Sequence, residues 1–293
     1  LKIDLHMHSH YSDGELSPEA LMLRAKDAGL EVVALTDHDT LDGLPQAQSA
    51  AARESLILIN GIELSTRWGT IGVHVVGLKL DINSAALQQA VAAQQQARVA
   101  RNVKIATRLE KLGARNVYQR ATELAGGTQV GRPHFAQVLV HDGMVKSVAA
   151  AFKKYLGAGK AGDIRQQWPP LEDIVAIIRA AGGVAVLAHP AKYRLTRTKL
   201  RALVADFAAA GGGAIEVISG YQPSGLAKDL ATLANEAGLA SSCGSDFHRP
   251  GGIWQELGRF EPMPDNARPV WALWPELADL AGAAQGEVCN SLE

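Results

Sequence analysis

KIDLHMHSHYSDGELSPEALMLRAKDAGLEVVALTDHD, residues 2–39, is the stretch on which the reading of the fold turns. Lys2 to Leu5 is a short β-prone run. Ser17 stands as an N-cap, Pro18 at the first helical position, Glu19 in the first turn and Gly29 just past the end, which together start and stop a helix. Glu31 to Thr36 is a second β run. Strand, loop, helix and strand in this order form a βα unit, and repetition of the unit predicts a largely parallel sheet.

The pattern continues outward. Leu41 to Arg53 reads as a second helix and Leu56 to Leu64 as a buried strand with Gly61 at a bend or bulge. Val73 to Leu80 is its hairpin partner, turning over 68–72. From Asn83 the chain becomes a long Ala-, Gln- and Arg-rich helical pattern to about Gly113, followed by helical segments at Tyr118 to Ala125, Phe135 to Val140 and Val148 to Tyr155. This reads as an inserted helical cap that ends in a Gly-rich loop at 157–162. Helices at Leu171 to Ala181, Thr198 to Ala210 and Leu226 to Ala237 then alternate with strands at Val184 to Ala188, Ala214 to Ile218 and Leu239 to Cys243. The expectation is an α/β fold: a distorted barrel of seven strands over 1–82 and 163–265, an inserted helical subdomain at 83–162, and a C-terminal tail at 266–293.

Composition bounds the function. With 293 residues, 47% of them hydrophobic, the chain can bury one large core and a modest insert. A net charge of -1 argues against binding long duplex nucleic acid, which takes many clustered cations. Cys243 and Cys289 are the only cysteines and form no CxxC pair, so no disulfide framework or zinc ribbon is indicated and a reducing cytoplasm is the expected location. No apolar run is long enough to span a membrane, and the N-terminus lacks the charged and apolar regions of a signal peptide. No obligate protein partner is indicated.

The chemistry gathers at strand exits, where βα barrels place their active sites. His6 and His8 follow the first strand, two apart and so on one face. Asp13 lies in the loop beyond, His38 follows the second strand, Glu63 ends the third, His74 lies on the fourth, and Asp246 and His248 follow the last. His134 begins a helix of the insert. Imidazoles and carboxylates in one pocket suit Mn2+, Fe2+ or Zn2+, and a carboxylate can bridge two ions.

Ile3-Asp4-Leu5-His6-Met7-His8-Ser9-His10-Tyr11-Ser12-Asp13-Gly14 resembles the opening motif of the PHP (polymerase and histidinol phosphatase) family, and Ala34-Leu35-Thr36-Asp37-His38-Asp39-Thr40 resembles its second. Glu63, His74, His134 and Asp246-Phe247-His248 match the later motifs in order. The resemblance covers residues 3 to about 260. It implies a PHP-type (β/α)7 barrel with two or three divalent ions, manganese first: one held by His6, His8 and Asp246, a second reached through a bridging Glu63 and held by His74 and His134, a third by Asp13, His38 and His248.

Such ions would activate water for in-line attack on a phosphate ester. The leaving oxygen needs a proton or an electrophile, so His189, in Leu187-Ala188-His189-Pro190, stands with Asp246 as a candidate catalytic residue. An equal alternative has His189 supporting the ligands or touching substrate. Guanidinium groups match phosphate oxygens, and Arg132, two residues before His134, is the best placed, ahead of Lys160 and Arg165 at the Gly-rich loop. Arg98, Arg101, Lys104, Arg108, Lys111 and Arg115 form a basic stripe along the long helix, either an ordinary solvated face or a lip that attracts nucleotide phosphates.

GRPHF in a helical insert and a later AHP are similar to the nucleoside 3',5'-bisphosphate phosphatase and ribonuclease AM branch of the family. That similarity implies a small nucleotide substrate such as adenosine 3',5'-bisphosphate, losing its 3'-phosphate, with 5'-3' trimming of short RNA oligonucleotides as a related activity. The rivals are a histidinol-phosphate phosphatase, whose cationic substrate would favour acidic pocket residues, and a non-catalytic metal-binding protein.

Overall fold

The structure is a computed structural model and describes residues 1–157, 159–164, 168–252 and 255–277. Seven strands follow one another around a single sheet in chain order: β1 (Ile3–Met7), β2 (Val32–Leu35), β3 (Ile57–Trp68), β4 (Ile71–Leu78), β5 (Val184–Leu187), β6 (Ala214–Ser219) and β7 (Ala240–Gly244). β1, β2 and β3 pair in parallel, as do β5, β6 and β7. β4 is antiparallel to both neighbours because it returns directly from β3 as a hairpin. The sheet nearly closes: Met7 bridges Phe247, Asp246 N–H donates to His6 O at 2.8 Å and His8 N–H to Phe247 O at 2.9 Å. Both faces of β1 and β2 are buried: β2 is accordingly apolar throughout, whereas β1 alternates apolar residues with the buried Asp4 and His6.

The expected elements are present with shifted ends. β3 runs on to Trp68 because the hairpin partner continues to satisfy its backbone out to the Trp68–Ile71 pair. Gly61 marks a close approach: a Cβ there would meet Leu35 O at 2.8 Å, across the β2–β3 pair. The helix α1 (Pro18–Asp27) begins as its sequence dictates, with the Ser17 hydroxyl accepting from Ala20 N–H at 3.2 Å. α2 (Leu44–Arg53) follows β2 and lies beside α1.

The insert comprises α3 (Ala85–Glu110), α4 (Val117–Ala125), α5 (Arg132–His141) and α6 (Val148–Ala151), which runs on into a π-helical turn at Phe152–Leu156. The helix α3 serves two cores. Leu87 and Val91 pack with the barrel, whereas Ile105, Ala106 and Leu109 join Phe135, Leu139 and Leu156 in a separate apolar cluster. The change of environment therefore falls inside α3 rather than at residue 83. Phe135 and Leu139 are fully buried, and each contributes roughly 1.5–3 kcal/mol to the cap. Between the two apolar zones, Gln94, Arg98, Arg101 and Asn102 are buried on the same helix.

The helices α7 (Leu171–Ala180), α8 (Arg197–Ala209) and α9 (Leu226–Glu236) complete the outer layer. The segment expected as a tail from 266 is packed as far as it is described: Val270, Trp274 and Leu277 are buried beside Ile3, Leu5 and Val32. The rest of that expectation, 278–293, lies outside the described residues. Among the described residues no helix is long and apolar enough to cross a membrane.

The barrel seam depends on Gly244. A Cβ there would lie 2.3 Å from His6 Cβ and 2.7 Å from His6 N, so no side chain fits between β7 and β1. Gly244→Ala is expected to lower stability by about 1–3 kcal/mol, the usual cost of overpacking, and to displace His6. A urea midpoint equal to that of the unsubstituted protein would contradict this account of the seam.

Candidate metal centre and substrate cavity

Buried carboxylates brace the loops that carry the site. Asp4 accepts from Ser245 N–H at 2.9 Å and Gly258 N–H at 3.0 Å, fixing the end of β7 against β1. Asp37 accepts from Ser9 N–H at 2.7 Å, Ser9 Oγ at 2.6 Å and Ser12 Oγ at 2.7 Å, which curls the loop after β1 so that Asp13 returns over the barrel mouth. Asp39, at a left-handed φ of 52°, accepts from Ser65 N–H and Oγ and from Arg98 Nε at 2.6 Å, tying α3 to β3. Every oxygen of Asp37 and Asp39 is thus committed to holding shape.

The remaining donors converge. Within each of three groups, His8, Asp13, His38 and His248; His6, His8 and Glu63; and His38, Glu63 and His74, the ligand atoms lie within 4.8 Å of one another. Glu63 is fully buried at the centre. Its Oε2 stands 3.2 Å from His6 Nε2, His8 Nε2 and His38 Nδ1, and its Oε1 stands 2.9 Å from His74 Nδ1 and His189 Nε2. Asp246 Oδ1 faces His8 Nε2 at 3.2 Å and His6 Nε2 at 3.5 Å, while its Oδ2 accepts from Lys192 Nζ and, at 3.0 Å, from Gln255 Nε2. His248 Nε2 lies 3.3 Å from Asp13 Oδ1.

These contacts test whether a metal fits. His8 Nδ1, Asp13 Oδ1, His38 Nδ1 and His74 Nδ1, all from the convergent groups, are buried without an aligned hydrogen-bond partner. Orphaned buried polar atoms cost free energy, and lone pairs converging on one place are what a divalent ion satisfies. His6 Nε2 and His8 Nε2 likewise face each other at 3.1 Å. The residues present fit metal ions.

The charges agree. Burial favours the neutral form of Glu63, yet the imidazoles of His38, His6 and His74 hold it well below the usual carboxylate range. Burial is likewise overcome at Asp246, chiefly by Lys192 and His6, and at Asp13 by His248 and His38. Burial opposes a charge on His8, but its bonds to Asp246 and Glu63 win and raise it to about 10. His38 is pushed down, with burial the largest cause. The carboxylates stay ionised and attract positive charge, whether a proton or a metal ion.

The structure differs from the expected ligand set at two histidines. His134 joins none of the convergent groups: its Nδ1 accepts from Gly131 N–H at 2.9 Å at the start of α5, in the manner of a capping residue. Beside His74 stands instead His189, with Nε2 on Glu63. His189 follows β5 at a left-handed φ of 30°, its N–H donating to Glu216 Oε2 at 2.6 Å.

A cavity of about 1230 Å3 opens beside this cluster. Asp13, His38 and His74 line it together with Arg67, Arg98, Arg101, Arg132, Asp163, Trp168, Phe152 and Tyr193. Arg98 is neutralised by Asp39 and lies over the Trp168 ring at 5.7 Å. Burial, then Arg132 and Arg98, push the Arg101 guanidinium down to about 9 against the pull of Asp39 and Asp163, and its Nε is buried without a partner among the described residues. Arg132 is lowered by burial and by Arg98. Asp163, on the same cavity, attracts both guanidinium groups, but among the described residues neither has a carboxylate oxygen within 4 Å.

The basic stripe accordingly divides. Arg98 and Arg101 turn inward, while Lys104, Arg108, Lys111 and Arg115 are exposed. Lys160 is exposed and does not line the cavity; Arg165 lies outside the described residues. Lys192, Gln255 and Glu216 were not legible as site residues, and Arg101 only as one member of the basic stripe, although Glu216, a lone acid in the apolar run Ile215–Val217, carries a signal of a buried polar role.

The PHP domain profile matches residues 4–176. The 3',5'-nucleoside bisphosphate phosphatase of Chromobacterium violaceum is 41% identical over 92% of this chain and 95% of its own. The 5'-3' exoribonuclease Rnm of Escherichia coli (strain K12) is 42% identical over 93% of this chain and 94% of its own. A solved amidohydrolase from Chromobacterium violaceum, with bound sulfate, is 39% identical and superposes with a TM-score of 0.86 over 93% of this chain and 95% of that one.

The donor cluster makes a prediction in the metal-free protein. Because His8 is raised from 6.5 to about 10, its proton contributes stability that is complete below 6.5 and lost as pH rises through about 10. Metal-free protein is expected to melt at progressively lower temperature over that range. At pH 8, Mn2+ should raise the melting temperature and release protons into weakly buffered solution. Melting indifferent to Mn2+, with no proton release, would contradict a metal centre.

Proposed function

The chain belongs to the PHP family, and from that premise we propose that it removes the 3'-phosphate from nucleoside 3',5'-bisphosphates, adenosine 3',5'-bisphosphate among them, and trims short oligoribonucleotides from the 5' end. The observation that carries this reading is one cavity lined both by members of the donor cluster, Asp13, His38 and His74, and by two guanidinium groups, Arg101 and Arg132, that have no carboxylate oxygen within 4 Å among the described residues. A ligand that carries two separate phosphates uses both sets of residues.

Two or three divalent ions, Mn2+ first with Zn2+ and Fe2+ as alternatives, are the cofactors in this reading. His6, His8, Glu63 and Asp246 would hold one, Glu63, His38, His74 and His189 a second, and Asp13, His38 and His248 would contribute to a third. Bound there, the ions would supply hydroxide near neutral pH and neutralise the phosphoryl oxygens. Within this set His189 is a ligand rather than the proton donor to the leaving group.

The chain's own residues do the rest. Arg101 and Arg132 bind the 5'-phosphate through charge-assisted hydrogen bonds, which sets the 3'-phosphate against the donor cluster. Arg98, held by Asp39, keeps Trp168 as a flat apolar wall against which a base can stack. Lys192 holds one oxygen of Asp246 and leaves the other facing His6 and His8.

Both activities then reduce to one event, cleavage of the P–O3' bond of a nucleotide whose 5'-phosphate is anchored. In a bisphosphate the departing phosphoryl group leaves as inorganic phosphate; in an oligoribonucleotide it stays on the shortened chain as a new 5'-phosphate. The cationic wall disfavours histidinol phosphate, whose ammonium group would meet Arg101 and Arg132. A net charge of -1 gives long duplexes no broad basic surface. Cytoplasmic nucleotides and RNA fragments are the substrates this reading supplies, with no further protein partner required.

The test is a comparison of substrates. Arg101→Ala and Arg132→Ala are each expected to lower kcat/KM for adenosine 3',5'-bisphosphate by about 10- to 100-fold, the worth of a lost charged hydrogen bond of about 1.5–3 kcal/mol, mainly through KM. Hydrolysis of adenosine 3'-monophosphate, which lacks the 5'-phosphate, should change little. Equal losses on both substrates, or no turnover of the bisphosphate by the Mn2+-loaded protein, would overturn the reading.

A further inference from the structure

Glu216 belongs to none of the convergent donor groups, yet it touches His6, which does, and His189, whose Nε2 reaches Glu63. It lies on β6, is 2% exposed, and has both carboxylate oxygens engaged. Its Oε1 stands 2.9 Å from His6 Nδ1, and its Oε2 accepts from His189 N–H at 2.6 Å. The strand pairing of β6 slips between Glu216 and Ile218, a bulge of the kind that re-aims a side chain beside a site.

We propose that Glu216 is a positioning residue for the metal centre, its single carboxylate fixing the proton of His6 on Nδ1 and the strained backbone of His189 at once. The inference rests on the phosphoesterase reading above and extends it to the source of ligand order. A carboxylate only accepts, so the proton it shares with His6 sits on Nδ1. The lone pair of the neutral ring is then left on Nε2, the atom that faces His8 Nε2 at 3.1 Å and Glu63 Oε2 at 3.2 Å. The second oxygen acts on the main chain. A left-handed φ of 30° at His189 is unfavourable for a residue with a Cβ, and the bond to Glu216 Oε2 helps to hold it there while His189 Nε2 reaches Glu63. One group thereby orients donors on either side of Glu63, as partners behind metal-ligating histidines do.

Glu216→Gln is the discriminating change, because it keeps the size and leaves only one acceptor. If its oxygen takes the His189 N–H, its amide group faces His6 Nδ1 and drives the ring proton onto Nε2, where it blocks the donor atom. The experiment is chelator-stripped, full-length protein retitrated with Mn2+, with free Mn2+ followed by electron paramagnetic resonance. Glu216→Gln is expected to bind at least one ion 10- to 100-fold more weakly, while the melting temperature of the metal-free protein stays close to that of the unsubstituted form.

Binding as tight as in the unsubstituted protein would overturn the proposal. A second measurement needs no change at 216: in 15N-histidine-labelled, Zn2+-loaded protein, the His6 resonance, assigned by its loss in His6→Ala, should show a proton on Nδ1. An unprotonated Nδ1 overturns the proposal even if Glu216→Gln fails to fold. Failure of the unsubstituted protein to bind Mn2+ is a separate result, and it would remove the phosphoesterase reading together with this one.

Discussion

Glu63 is the constraint from which the rest of the molecule follows. A carboxylate with no exposure, ringed by imidazole nitrogens of His6, His8, His38, His74 and His189, is costly to bury unless it is ionised and surrounded by positive charge. The strands β1, β3 and β4 and the segments that follow β1, β2 and β5 must hold their positions together for that to happen. Seen this way, the near closure of the barrel at Met7 and Phe247 is a condition of the site: it brings Asp246 from the last strand to His6 and His8 from the first.

The other buried carboxylates share this task by a different route. Asp4, Asp37, Asp39 and Glu216 spend their oxygens on backbone N–H groups, hydroxyls, a guanidinium or a ring nitrogen. None has an oxygen left for an ion. The molecule thus uses acids in two ways, as candidate ligands at the barrel mouth and as struts just behind it. Arg98 makes the strut at Asp39 reach the cap, so the wall that carries Arg101 and Arg132 is registered against the donor cluster by the same network.

Much of this was legible in the sequence because strands of this kind announce themselves. Short apolar runs closed by His, Asp or Glu fix both the strand and the residues at its exit, and the two-residue spacing of His6 and His8 puts them on one face. The failures have physical causes. His134 follows Gly131 by the interval at which a side chain can cap its own helix, and in the structure its Nδ1 does so, while the ring belongs to none of the convergent groups among the described residues. His189 has the same sequence placement as the other strand-exit histidines, so sequence alone leaves its role open; in the structure its Nε2 lies on Glu63.

The helix α3 misled for a subtler reason. Cations recurring every three or four residues suggest a solvated face, yet Gln94, Arg98, Arg101 and Asn102 continue the buried face begun by Leu87 and Val91 and resumed by Ile105 and Leu109. Polar residues at apolar positions of one helix mark a face that leaves a core, crosses a cavity and enters a second core. The ends of elements were less legible: β3 is extended by its hairpin partner, and the segment through Leu277 is drawn in by the apolar base of the barrel. Pairing and packing decide both, and neither is local.

The central claim is that the convergent donors are there to hold ions. Anomalous diffraction at the manganese edge from crystals grown with Mn2+ tests it without recourse to activity. The account predicts two or three peaks within the cluster of His6, His8, Asp13, His38, Glu63, His74, His189, Asp246 and His248, with Glu63 between peaks. Featureless anomalous density across that cluster at saturating Mn2+, in protein that hydrolyses its substrate, would contradict it.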